Sequence, residues 1–144
     1  MFLLEVPFAS PQYDETISLR TRILRDPLGM VFYEKDLAAE WDSIHLAYYD
    51  DQWDLLGCLV LKPVSERILK MRQVAVDAGR QKTGVGTALV KASEELARKK
   101  GFSIIELHAR DSAVPFYTRL DYQIIGDRFE EVGIPHFKME KSLL

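Results

Sequence analysis

One cysteine, Cys58, stands in 144 residues, which excludes an internal disulfide and a cysteine-rich zinc site. Its flanks, Leu56-Gly57-Cys58-Leu59-Val60, read as a buried strand, so the thiol is expected to be an inert core group. The three histidines, His45, His108 and His136, are too scattered for metal-ligand spacing, and no metal is expected. No apolar run approaches the roughly 20 residues of a membrane span, and residues 1–6 lack the basic start of a signal peptide and meet Glu5 and Pro7 too soon. Acidic and basic residues, 22 against 19, are interspersed and leave a formal charge of −3, with no basic stripe for nucleic acid or membranes. The expectation is a cytoplasmic protein without either partner. Repeats, linkers and low-complexity segments are also absent, and the length suits a single domain over residues 1–144.

Two nucleotide motifs are missing as well. Gly79 and Gly84 have the glycine spacing of a Walker A loop, but Val85-Gly86 follow where Lys and Ser or Thr are needed. Gly84-Val85-Gly86-Thr87-Ala88-Leu89 fails the dinucleotide fingerprint at its last glycine. What is present is a Gly-x-Gly turn between a strand at residues 68–76 and a helix at about 84–100, stopped by Gly101. Glycines at a helix start leave N–H groups unshielded and add to the positive helix end, a phosphate-binding arrangement. By themselves they equally serve a plain tight turn.

The remaining elements alternate. A short strand at residues 2–6 precedes a helix at 11–25, ended before Pro27, and a shorter helix at 36–40. Strands at 44–49 and 55–61 form a hairpin over polar residues 50–54. The order predicted is β-α-α-β-β-β-α-β-α-β-β. In the helix at 84–100, Val85, Ala88, Leu89, Ala92, Leu96 and Ala97 are expected to face a sheet, with Lys91, Glu94, Glu95, Arg98, Lys99 and Lys100 in water.

Gln81-x-x-Gly84-x-Gly86 before an amphipathic helix, with Val74-Ala75-Val76 ending the preceding strand, resembles the acyl-CoA loop of the GNAT superfamily of N-acetyltransferases. A second matching segment runs through Ile104-Ile105-Glu106-Leu107-His108-Ala109-Arg110 to Ala113-Val114-Pro115-Phe116-Tyr117 and Leu120-Asp121-Tyr122. The ending Gly133-Ile134-Pro135-His136-Phe137-x-Met139 is similar to one bacterial branch. The resemblance covers residues 19–139 and implies an α/β fold, α+β in arrangement: one domain with a mixed, mostly antiparallel, splayed sheet flanked by helices. Three positions depart from the family pattern. Arg110 replaces a frequent Asn, Asp121 replaces a Gly, and no carboxylate stands on the central strand at 69–76, where some members place a base.

The resemblance implies an N-acetyltransferase that uses acetyl-CoA as cosubstrate and a primary amine, small molecule or protein amino group, as acceptor. A non-catalytic acyl-CoA-binding module is the alternative. Assembly is left open, a homodimer included. The pyrophosphate is expected on the backbone of Lys82, Thr83, Gly84, Val85, Gly86 and Thr87, with Gln81 shaping the loop. Val74, Ala75 and Val76 are expected along the pantetheine arm, where an aimed N–H polarises the thioester carbonyl, and Arg110 in place of the usual Asn contact. Tyr117 is the expected acid for the leaving thiolate. For the base, Glu130, Glu131, His136, His108 and a water chain stay open; His136 oriented by Glu131 is the assignment carried forward, because an imidazole titrates near neutrality.

Overall fold

The computed structural model describes residues 2–144. A seven-stranded sheet carries helices on both faces. Its strands are β1 (Phe2–Val6), β2 (Ile44–Tyr49), β3 (Leu55–Pro63), β4 (Ile68–Val76), β5 (Ile104–Arg110), β6 (Gln123–Glu131) and β7 (Ile134–Ser142), in the spatial order β1-β2-β3-β4-β5-β7-β6. Every neighbouring pair is antiparallel except β4 with β5, and that parallel pair is joined by α3 (Val85–Lys99).

The helix α1 (Pro11–Arg20) starts where sequence signals coincide: Ser10 accepts from the Tyr13 N–H at 3.2 Å and Pro11 fills the first turn. It does not continue to residue 25 as an α-helix. The Thr21 hydroxyl donates back to the Ile17 carbonyl at 2.8 Å, a contact that bends helices, and Thr21–Arg25 passes into a π turn followed by a 3-10 turn at Asp26–Leu28. The second helix, α2 (Glu34–Ala38), lies two residues earlier than expected, with Glu34 and Asp36 at its positive end. Glu40 is thereby left outside the helix. It accepts from both terminal nitrogens of the Arg20 guanidinium, at 2.9 and 2.6 Å, and from the Tyr13 hydroxyl at 2.9 Å, all buried.

The sheet covers two cores. On one side α3 lays Val85, Leu89, Val90 and Ala97 against Leu59, Leu69, Met71, Ile105, Leu107 and Met139. On the other, Leu19 of α1 packs on Cys58 and Ala75. Burial pushes the Cys58 thiol up to about 12, which keeps it a neutral core group. The helix α3 ends in a Schellman motif: Gly101 at φ +88° donates to Arg98, and Phe102 donates to Ala97. One expectation for α3 fails. Glu94 is buried rather than solvated, because Tyr122, in the turn after α4 (Val114–Arg119), and Lys141 on β7 reach that flank, and its carboxylate accepts from Tyr122 Oη at 3.0 Å and Lys141 Nζ at 2.9 Å.

Two irregularities open the sheet at its centre. Between Cys58↔Ala75 and Val60↔Arg72, β4 holds one more residue than β3, a bulge at which Gln73 takes φ +57°. On its other side β4 pairs with β5 only from Ile68↔Ile104 to Met71↔Leu107. Beyond those four pairs the strands part.

Candidate active site

The gap between β4 and β5 leads into a cavity of about 470 Å³. Asp77 N–H donates to the Leu56 carbonyl on β3 at 2.8 Å. Because backbone groups alternate sides along a strand, those of Val76 and Val74 face away from β3, into the gap. Ala75 turns its side chain into the opposite core and its backbone toward Cys58 on β3. Val74 and Val76 pack their side chains on the α3 side.

At the end of the gap the chain turns through a 3-10 segment, Ala78–Arg80, capped by the Asp77 carboxylate, which accepts from Gly79 N–H. Gln81 Nε2 donates to the Val76 carbonyl at 3.2 Å and ties the loop to β4; the Thr83 hydroxyl donates to the Arg80 carbonyl. Lys82 at φ +64° and Gly84 at φ +92° bend the backbone into α3. The first intrahelical bond is Ala88 N–H to Gly84 O, so the N–H groups of Val85, Gly86 and Thr87 have no helical partner. A Cβ on Gly84 would meet no protein atom within 4 Å, which leaves that side open to a ligand. At Gly86 a Cβ would lie 3.4 Å from Phe116 Cζ, so here α3 packs closely on α4.

Tyr117 on α4 lines the cavity and is 8% exposed. Its ring meets Phe116 and Tyr122 edge-on, at 4.9 and 5.7 Å, and its hydroxyl has no hydrogen-bond partner among the described residues. Burial pushes that phenol up to about 12, so it holds its proton at neutral pH. Asp121, in place of the usual glycine, takes φ +72°, the left-handed geometry the position requires.

The base candidates separate. His136 on β7 is 5% exposed and donates from Nδ1 to the Ile134 carbonyl at 2.7 Å, leaving Nε2 facing Glu131 Oε2 at 3.7 Å. The same Glu131 oxygen lies 3.4 Å from His108 Nδ1, and all three residues line the cavity with Tyr117. Burial, reinforced by Lys70, holds the His108 ring below its ordinary 6.5 against the pull of Glu131. Glu130 is the neighbour that the strand alternation turns the other way; it does not line the cavity. His45 lies elsewhere, its Nε2 on the Glu40 carbonyl oxygen at 3.0 Å.

Sequence reasoning did not single out Arg25, Lys70, Arg72 or Gln73, which line the same cavity. Lys70 and Arg72 were accessible to it, since alternation along β4 sends both away from the core side that holds Leu69 and Met71. Arg110, expected against the pantetheine arm, alternates on β5 to the face of His108 and lies close enough to Arg25 to depress its guanidinium.

Residues 31–143 match the acetyltransferase (GNAT) domain model. The chain is 36% identical over 111 residues to a protein described as the uncharacterized N-acetyltransferase YjcF of Bacillus subtilis, 72% of this chain and 73% of that one. It is 35% identical over 74 residues to the uncharacterized protein YyaT of the same organism, a stretch that spans only 50% of that relative. Among solved structures, an aminoglycoside 6′-N-acetyltransferase complexed with coenzyme A superposes with a TM-score of 0.81 at 18% identity, covering 100% of this chain and 98% of that one. An acyl-CoA N-acyltransferase from Pseudomonas aeruginosa gives 0.81 at 20%, covering 97% of each chain. The chain belongs to the GNAT family of acetyltransferases, and its mixed sheet flanked by helices is the fold of that family.

Proposed function

We propose that this protein transfers an acetyl group from acetyl-CoA to a primary amine by direct attack of the amine on the thioester. The observation that carries the reading is the parting of β4 and β5 beside an uncapped helix start, with a proton-bearing Tyr117 at the inner end. The N–H groups of residues 82–87 take the pyrophosphate, as a helix start with free donors does. Val74 and Val76 offer their outward backbone groups to the pantetheine arm as a neighbouring strand would, and one such N–H polarises the thioester carbonyl. His136 Nε2 takes the proton of the attacking ammonium, and the Glu131 carboxylate stabilises the imidazolium that forms. His108, on the other side of Glu131, orients that carboxylate. Tyr117 then gives its proton to the departing thiolate, and the surplus proton on the acylated nitrogen returns to the phenolate, so that one proton, held by His136, leaves to solvent.

An aminoglycoside carries several ammonium groups and would meet Arg25, Lys70, Arg72 and Arg110 in this cavity, so that neighbour's acceptor is not carried over to this chain. The test is release of free thiol from acetyl-CoA across a panel of amines. Amine-dependent release at a rate above the protein-free control supports the proposal. Tight CoA binding by calorimetry with no release for any amine would replace it with a non-catalytic acyl-CoA-binding module.

A further inference from the structure

The cavity wall is strongly one-signed. Arg25 on the π turn, Lys70 and Arg72 on β4 and Arg110 on β5 all line it, and none has a carboxylate within 4 Å among the described residues. Asp36 is the acid whose field reaches Arg25, from outside the lining. The lining carboxylate is Glu131, and it already faces two imidazoles. Glu106, also on β5, is engaged by Lys138 Nζ at 3.3 Å. Gathering four cations in one concave surface costs free energy through mutual repulsion. Arg25 registers that repulsion: burial first, then the charges of Arg20, Arg110 and Arg72, pull its guanidinium below its ordinary range.

The arginine is also held in place. Its guanidinium lies over the Phe32 ring at 4.3 Å, and Arg20, locked to Glu40, lies over the same ring at 4.7 Å. A planar donor fork fixed on an aromatic face suits bidentate recognition of a carboxylate or phosphate. Nearer the parting of the strands, Gln73 stands at the bulge in a left-handed conformation, its amide oxygen buried with no donor among the described residues. An unfilled buried acceptor beside the gap fits an amine N–H. Strain of this kind persists where a site over-determines it.

From this lining we infer that the acceptor is a small primary amine that also carries an anionic group, a carboxylate or a phosphate, held by Arg25 and Arg72 while Gln73 receives an N–H of the amine. The inference rests on the acetyl-transfer reading above and specifies the substrate class of the same site. Size agrees: about 470 Å³ admits a metabolite-sized acceptor.

The experiment compares matched acceptors on the whole chain with saturating acetyl-CoA. β-Alanine is set against β-alaninamide, O-phosphoethanolamine against ethanolamine, and spermidine serves as a polycation. At least one anionic member is expected to exceed its neutral partner about tenfold or more in kcat/KM, and which pair does so separates carboxylate from phosphate. Arg25→Gln and Arg72→Gln, made singly, are expected to erase most of that ratio, chiefly through KM. Calorimetric titration of the same pairs into the protein saturated with CoA supplies a readout independent of turnover. If no acceptor releases thiol yet the anionic member still binds at least tenfold tighter, the transfer reading fails and the anion site stands. Equal binding within each pair, or preference for spermidine, overturns the inference even where turnover is seen.

Discussion

In the proposed transfer Tyr117 acts through one atom. Tyr117→Phe keeps the ring contacts with Phe116 and Tyr122 and removes only the proton donor. Turnover is expected to fall about 10²–10⁴-fold, the usual worth of a positioned acid, with CoA affinity by calorimetry within about twofold of the parent. A variant equal to the parent when chemistry limits the rate would reduce Tyr117 to packing. The histidines give a pH signature. A base must be neutral to act, so kcat/KM is expected to rise with pH along an imidazole limb. His136→Gln should remove that limb. His108 is held below 6.5, so if the limb survives in His136→Gln with a midpoint under that value, His108 is the base instead. A limb that follows the acceptor's own basicity assigns the proton to water.

The turn between β6 and β7 is the element under most strain. Val132 and Gly133 both take positive φ, +49° and +72°, as a two-residue primed turn demands, yet a β-branched side chain is poorly suited to that region. Val132→Asn is expected to raise the unfolding free energy by about 1 kcal/mol, read from urea denaturation; no gain would mean that contacts of Val132 over the cavity offset its strain. The succession of strands and helices along the chain, α3 with its Gly101 stop and the hairpin over Asp50 were legible in the sequence, because each rests on local periodicity or turn chemistry. The convergence of Tyr117, Glu131 and His136 on one cavity was legible only through motif order. The bulge at Gln73 left no local signal, since it comes from pairing with β3, and Glu94 was misjudged because its partners Tyr122 and Lys141 lie far along the chain. The cationic wall was missed for a similar reason. Arg25 is brought to Arg72 and Arg110 by the π turn, which departs from the α-helix expected there.

Across the whole molecule, acid should loosen the fold in two stages. His108 prefers its neutral form when folded, so stability is complete above 6.5 and declines as pH falls below it and the unfolded chain takes up the proton first. Burial pushes the Glu40 carboxyl up, but the hydrogen bonds and charge of Arg20 outweigh it and hold the group below 4.5; that stabilisation is present above 4.5 and is lost as pH falls through the folded value. Glu40→Gln strands the Arg20 guanidinium, with its Nε already unpartnered, and is expected to cost about 3–5 kcal/mol at pH 7. A loss under 1 kcal/mol in chemical denaturation would show that water reaches the pair. The parting of β4 and β5 has a further meaning for the free protein. Only four residue pairs bind the β5-β7-β6 wing to the rest of the ladder, so the amides of Val74 and Val76, which face the gap, should exchange with solvent deuterium long before those of 68–71 and 104–107. A cosubstrate bound as proposed, completing the ladder, would slow exchange at the open amides, and at a hundredfold excess over Kd would add about 2.7 kcal/mol to the whole: on that reading the sheet finishes folding on its substrate.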